Sequence, residues 1–184
     1  MGKLAEIKEI LNDHEIVSMK EAGVYADVVE DGSTFEENAR IKARAVAERI
    51  DEDAIVMADD SGLEVDALGG EPGVYSARYL GENTSYDVKN AEILRRMEGV
   101  PDEERTARFV CAVCAVFPDG REETVRGTIE GVIAHEIAGE NGFGYDPIFY
   151  VPELHCTTAE LAPEKKNEIS HRGRALMEIK KILQ

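Results

Sequence analysis

No stretch of the sequence approaches the ~18 to 20 consecutive apolar residues that a membrane-spanning helix needs. The opening Met1-Gly2-Lys3-Leu4-Ala5-Glu6 turns helical and charged without the apolar segment of a signal peptide. A cytoplasmic protein without a membrane partner is therefore expected. Basic residues are scarce: 21 Lys and Arg stand against 38 Asp and Glu, a net charge of −17. That imbalance argues against nucleic-acid backbone or anionic membrane as partners. A small polyanion is not excluded, but its site would need a local basic pocket and a divalent cation. Cysteine is limited to Cys111, Cys114 and Cys156, too few and too odd in number for a disulfide framework. Cys111 and Cys114 form a C-x-x-C string within residues 108–117, a run that reads as a buried strand, so they should point to opposite faces as ordinary core thiols. Repeats, low-complexity tracts and long linkers are also lacking. The 184 residues, 43% hydrophobic, are expected to form one domain, 1–184, that buries about two-thirds of its unfolded surface.

What is present alternates helical and strand patterns. Leu4, Ile7, Ile10 and Leu11 sit at helical spacing, and residues 15–19 read as a short strand before an acidic loop through Asp27, Glu30 and Asp31. Thr34-Phe35-Glu36-Glu37 fits a capping box, with Ala39, Ala43, Val46, Ala47 and Ile50 continuing one apolar face. Residues 54–58 form an apolar run suited to a buried strand. A helix over 85–97, two long strands between 105 and 136 and a terminal helix over 170–183 complete the map. The pattern points to a mixed α/β sheet.

Three segments could carry chemistry. Ala58-Asp59-Asp60-Ser61-Gly62 places two carboxylates and a hydroxyl just past an apolar strand, where ligands bind in open α/β sheets, and such oxygens suit Mg²⁺. An Asx-turn closing the strand is the plainer reading. Around Lys165-Lys166-Asn167-Glu168-Ile169-Ser170-His171-Arg172, cations in the first turn of a helix capped by Ser170 oppose the helix dipole, and make more sense beside an acceptor-rich ligand than as a solvated patch. In Gly142-Phe143-Gly144-Tyr145-Asp146-Pro147, glycines flank aromatic rings, and Phe143 or Tyr145 could stack a purine for ~1–3 kcal/mol unless both belong to a turn and the core.

Together and in this order, these segments resemble the inosine triphosphate pyrophosphatase, or Ham1-like, family. The likeness also takes in Thr34-Phe35-Glu36-Glu37-Asn38-Ala39 and residues 68–79, and covers nearly the whole chain. It implies an α/β fold with an elongated mixed β-sheet flanked by helices, two lobes with a central nucleotide cleft, and a homodimer. It implies Mg²⁺-dependent hydrolysis of ITP, dITP and XTP to the nucleoside monophosphate and pyrophosphate. Asp60 would be the catalytic acid and a metal ligand, with Ser61 contacting substrate. Phe143, Gly144, Tyr145, Asp146, Lys166, His171 and Arg172 match nucleotide-contacting positions. The second metal-binding acid falls in the loop before the Thr34 helix, where Glu30 is the nearest match, the position one earlier is Val29, and Glu37 is the alternative. Members of the family begin with an apolar strand running into a Thr/Ser-Gly-Asn loop that ends in Lys. Only Gly2 and Lys3 match that loop here, so the first β-strand is expected to be lacking.

The expected reaction is attack of water that separates the α- from the β-phosphate, with Lys3 and Lys166 as cationic partners of substrate oxygens. A carboxylate bound directly to Mg²⁺ is a poor base, so Asp60 would bind the metal through water while orienting the nucleophile, with Asp59 sharing the charge. A donor from Arg172 or His171 aimed at O6 would accept hypoxanthine and xanthine and reject adenine. Two alternatives stay open: a hydrolase of modified pyrimidine or methylated nucleotides on a related fold, and a nucleotide-binding protein without turnover.

Overall fold

The structure is a computed structural model that describes residues 2–51 and 53–184. Five strands form one sheet in the order β1-β2-β3-β4-β5: β1 (Val56–Val65), β2 (Thr106–Val116), β3 (Glu122–Ile133), β4 (Phe149–Val151) and β5 (Cys156–Thr157). Helices α1 (Lys3–Ile10), α2 (Phe35–Ala47), α3 (Tyr86–Arg96), α4 (Pro163–Ile169) and α5 (His171–Leu183) flank it. This is the expected α/β sheet with helices on its flanks. Every pairing among the described strands is antiparallel, and the turn between β2 and β3 is too short for a parallel crossover.

Alternation along the strands distributes the core over two faces. On one, Phe35, Ala39 and Ala43 of α2 pack on Val56, Val110, Ala112 and Cys114. On the other, Ala175, Leu176 and Ile179 of α5, with Leu11, cover Cys111, Val113 and Ala115. The two cysteines thus lie on opposite faces, as their spacing requires. A third cluster gathers Leu63, Val65 and Phe109 with Ile93 and Met97 of α3 and with Ile148 and Phe149.

Three expectations change. Residues 15–19 form no strand, because Ser18 and Glu21 exchange backbone-to-side-chain hydrogen bonds of 2.6 and 3.1 Å and close a turn instead. The run at 54–58 does not end before the aspartates. Its strand begins at Val56 and continues to Val65, since Leu63 and Val65 extend the buried alternation and all ten residues find partners on β2. In α1 the buried stripe takes in Glu6 and Leu11, while Leu4 is 37% exposed.

β1 is an edge strand, and no described strand pairs with its outer side. A cavity of about 590 Å³ runs beside it, walled by Val17, Met19 and Val24 from the 17–28 segment, Val46 of α2 and Ile55, with Glu30, Lys42 and Asp59 among its polar lining. No described helix is long and apolar enough to cross a membrane.

The seat of α5 depends on Gly127 of β3, where a Cβ would meet the carbonyl of His171 and the backbone of Ala175. Gly127→Ala is expected to destabilise the protein by about 1–3 kcal/mol through overpacking, measured as a shift of the urea midpoint at constant m-value. An unchanged midpoint would mean that α5 does not sit this close.

Candidate functional site

The aspartates lie in the middle of β1, so consecutive side chains leave opposite faces. Asp60 turns toward α2, where Asn38 Nδ2 donates to its Oδ2 at 3.2 Å and Lys42 Nζ stands 3.7 Å from its Oδ1. Asn38 also accepts from the Gly32 amide at 2.8 Å, which ties the preceding acidic loop to the same point. Glu30 of that loop pairs with Lys42 at 2.8 Å, and its carbonyl receives Arg78 at 3.4 Å. Two carboxylates therefore converge on one cation. Of the acids considered for this position, Glu37 is spent elsewhere, accepting from the Ser33 amide at 2.7 Å while Thr34 caps α2. Burial raises the Asp60 carboxyl above its ordinary range, with Lys42 and Asn38 opposing only in part.

Asp59 faces α5 and a different partner set. Lys3 lies 3.4 Å from it, Arg172 Nη2 donates at 3.4 Å, and Ser61 Oγ donates at 3.1 Å. Burial works to raise its pKa, but Lys3, Arg172 and Lys42 outweigh it and hold the carboxyl well below the usual range. The expected sharing of one metal charge by Asp59 and Asp60 does not match this geometry: Asp59 belongs to an ion-pair network on the opposite face.

That network continues inward. Arg172, 2% exposed, donates from Nη1 to Glu6 at 2.6 Å. Lys166 reaches Glu6 at 3.1 Å and Asp146 at 2.6 Å. Asp146 also accepts from the Phe143 amide at 3.0 Å and the Thr158 hydroxyl at 2.7 Å. The cations at the start of α5, expected to await a ligand, are thus largely answered from within the chain. The Phe143 ring lies against both, with Lys166 Nζ 4.5 Å and the Arg172 guanidinium 5.6 Å from its centroid. Gly142, at φ +73°, lets the turn bend onto Asp146, whose carboxylate a Cβ would strike.

These groups enclose a pocket of about 80 Å³ whose walls include Lys3, Ser61, Ala77, Phe143, His171 and Arg172. Two buried polar atoms in it lack partners among the described residues, Nδ1 of His171 and Nε of Arg172. His171 stacks on Phe109 at 4.8 Å, and burial, with Arg172 and Lys166 beside it, lowers its pKa well below 6.5 and keeps it neutral. Tyr145 is buried and donates its hydroxyl to Ser76 O at 2.6 Å, whereas Phe143 is only partly buried.

Of the residues that the sequence singled out, Glu30 and Asp60 meet at Lys42 on one side of β1, while Lys3, Ser61, Phe143, Gly144, Tyr145, Asp146, Lys166, His171 and Arg172 line one pocket on the other; Glu37 joins neither. Three partners were missed. Asn38 and Lys42 are polar residues four apart within the otherwise apolar face of α2, and Glu6 interrupts the apolar stripe of α1. Each is the signal of a buried polar contact. No group of three or more His, Cys, Asp or Glu converges among the described residues. Mg²⁺ does not require one, because it commonly takes one or two carboxylates and fills its shell with water and phosphate oxygens. Glu30 and Asp60, already gathered about an ammonium, fit that donor set.

Comparison with known proteins gives a consistent picture. A model of the Ham1 family matches residues 1–182. The dITP/XTP pyrophosphatase of Desulforamulus reducens is 52% identical over 184 residues, covering 99% of this chain and 90% of its own. That of Bacillus subtilis is 48% identical, with 100% and 92% covered. The solved Staphylococcus aureus Ham1 protein superposes with a TM-score of 0.87 at 44% identity, covering 100% of this chain and 93% of that one.

The buried neutral His171 sets a pH dependence. Its folded pKa lies below the unfolded value of 6.5, so the unfolded chain takes up the proton first and stability falls as pH drops below 6.5. The loss approaches about 1.4 kcal/mol per pH unit for one such group. His171→Gln should flatten the stability profile between about pH 6.5 and 5 in denaturant titrations. An equal slope in wild type and variant would mean that His171 is not held neutral.

Proposed function

The chain belongs to the Ham1 family, and on that premise we propose that it hydrolyses dITP, ITP and XTP to the nucleoside monophosphate and pyrophosphate. The observation that carries this reading is the pairing, across one strand, of a two-carboxylate cation site with a pocket lined by Lys3, Lys166, Arg172 and the Phe143 ring. In a chain of net charge −17, three cations gathered at one pocket, each held by carboxylates of the chain, set this place apart from the acidic remainder.

Glu30 and Asp60 would hold Mg²⁺, which supplies charge neutralisation on phosphate oxygens and lowers the pKa of water. Lys42, already between these carboxylates, and Lys3, 44% exposed at the start of α1, turn to phosphate oxygens. Asp60 would hold the metal through water, which leaves its carboxylate free to orient the attacking water. Asp59 stays ionised and fixes Arg172 and Ser61. Phe143 stacks the purine. The unpaired Nε–H of Arg172 donates to the O6 acceptor of hypoxanthine or xanthine, whereas adenine offers a donor there and would leave both groups unpaired.

A second reading, nucleotide binding without turnover, is favoured by the outer edge of β1 ahead of Leu63, which no described strand pairs, the 63–65 part being bonded to residues 71–76. We propose that this edge and its apolar cavity accept a further apolar strand ahead of Gly2, completing the phosphate side of the site. The relatives exceed the matched region, since the chain spans 90% and 92% of the two described above. Assembly as a homodimer and a cytoplasmic location belong to the same proposal, and light scattering reads the first.

Asp60→Asn should keep the thermal midpoint while dITP turnover falls by about a hundredfold or more, assayed as released pyrophosphate in Mg²⁺. Near wild-type turnover would reject the assignment. Joining an apolar strand and a Thr-Gly-Asn loop ahead of Gly2 should raise both the thermal midpoint and kcat/KM on dITP, because a buried strand adds several side chains at roughly 1.5–3 kcal/mol each before entropy. If neither quantity changes, β1 needs no such partner.

A further inference from the structure

Helix α3 carries no group that the proposed reaction uses, yet two adjacent buried residues on it hold two separate segments of the pocket lining. Lys89 is 1% exposed, and its only hydrogen-bond partner among the described residues is the carbonyl of Ala77, at 2.6 Å. Its ammonium also lies 4.6 Å from the centroid of the Tyr86 ring. Asn90, 2% exposed, donates from Nδ2 to the carbonyl of Gly144 at 3.1 Å, while its Oδ1 has no partner. Ala77 and Gly144 both line the pocket, one in the 73–78 turn and the other beside Phe143. Tyr86, from the start of α3, meets Tyr145 edge to face at 5.2 Å and lines the same space.

This arrangement costs stability. A buried ammonium without a carboxylate and a buried amide oxygen without a donor are both unfavourable, and an apolar pair would pack α3 more cheaply. Backbone carbonyls in turns have many ways of finding water or an amide. Here each is met by a side chain from neighbouring positions of one rigid helix, so the spacing along that helix ties the two turns together beside the direct bond from the Tyr145 hydroxyl to the carbonyl of Ser76.

We propose that Lys89 and Asn90 are positioning residues that brace the Ala77 wall against the Phe143–Gly144 wall and so set the width of the base pocket. They act through these walls and do not touch the nucleotide. The proposal rests on the reading of this pocket as the nucleotide site. Its consequence is that base selection depends on α3, some way from any group that reads a base edge.

The test compares Lys89→Met, Lys89→Gln and Asn90→Leu in the full chain, with Phe143→Ala as the control for the pocket itself. Thermal midpoint, affinity for dIMP by calorimetry, and KM and kcat on dITP and dATP are measured. Lys89→Met and Asn90→Leu should weaken dIMP binding and raise KM for dITP roughly tenfold, the equivalent of one lost hydrogen bond. They should narrow the preference over dATP and leave kcat much less affected. Lys89→Met should melt no lower than wild type, since it removes an unpaired buried charge, and Lys89→Gln, which keeps a donor for Ala77, should stay near wild type. Unchanged affinity and KM in both Lys89→Met and Asn90→Leu, with a clear loss in Phe143→Ala, would overturn the brace and leave the pocket standing. No effect in Phe143→Ala would remove the pocket reading, and the brace with it. Losses that simply follow a lowered midpoint in all three α3 variants, the Gln variant included, would also overturn it.

Discussion

Glu6 is the carboxylate that the two buried cations of the pocket share, at 3.1 Å from Lys166 and 2.6 Å from Arg172. Without it each cation would keep a single carboxylate, Asp146 for Lys166 and Asp59 for Arg172, and buried charge that is less fully paired costs stability. Arg172 then reaches Asp59 and Ser61 on β1, Lys166 reaches Asp146, and Asp146 fixes the turn that carries Phe143. Helices α1, α4 and α5, strand β1 and the 142–146 turn are thus joined through one acid. The network balances Lys3, Lys166 and Arg172 against Glu6, Asp59 and Asp146, so it is electrically closed before any ligand arrives. Closure of this kind preorganises the pocket, since the groups that meet a nucleotide are held by protein contacts and need little rearrangement.

The period of a strand then separates two neighbouring acids into different chemistry. Asp59 emerges among three cations and stays ionised. Asp60 emerges one residue later on the other face, buried beside Asn38 and a single ammonium already shared with Glu30. Identical side chains in adjacent positions acquire opposite pKa shifts from their surroundings alone, the pattern by which active sites divide acid and base work between carboxylates.

Much of this was legible in the sequence where the signal is local. Thr34 and Ser170 cap α2 and α5 as their spacing indicates, and the periodicity of residues 108–117 placed Cys111 and Cys114 on opposite faces. Segments far apart in the motif order, around Phe143, Lys166, His171 and Arg172, do line one pocket. Less legible was anything decided between distant elements. The Asp-Asp-Ser run reads locally as a turn, and only its pairing with β2 makes it mid-strand. Residues 15–19 are apolar enough for a strand, but a local Ser18–Glu21 exchange captures the backbone bonds first. Glu6 and Lys42 look like the ordinary charge of solvated helices, because a polar residue in an apolar stripe announces burial without naming its partner.

The partners joined by Glu6 lie 160 and 166 positions away along the chain, so the pocket is stitched from its two ends. Contacts of such separation close the longest loops and form late in folding. During synthesis, which releases the N-terminal part first, α1 has to wait beside an unfinished sheet until α5 has left the ribosome. A nascent chain that has completed β1 through β5 already displays its aspartates, but it has no base pocket. Chains broken off before residue 172 therefore lack the guanidinium that joins Glu6 to Asp59 and Ser61, and leave α1 and β1 without that link.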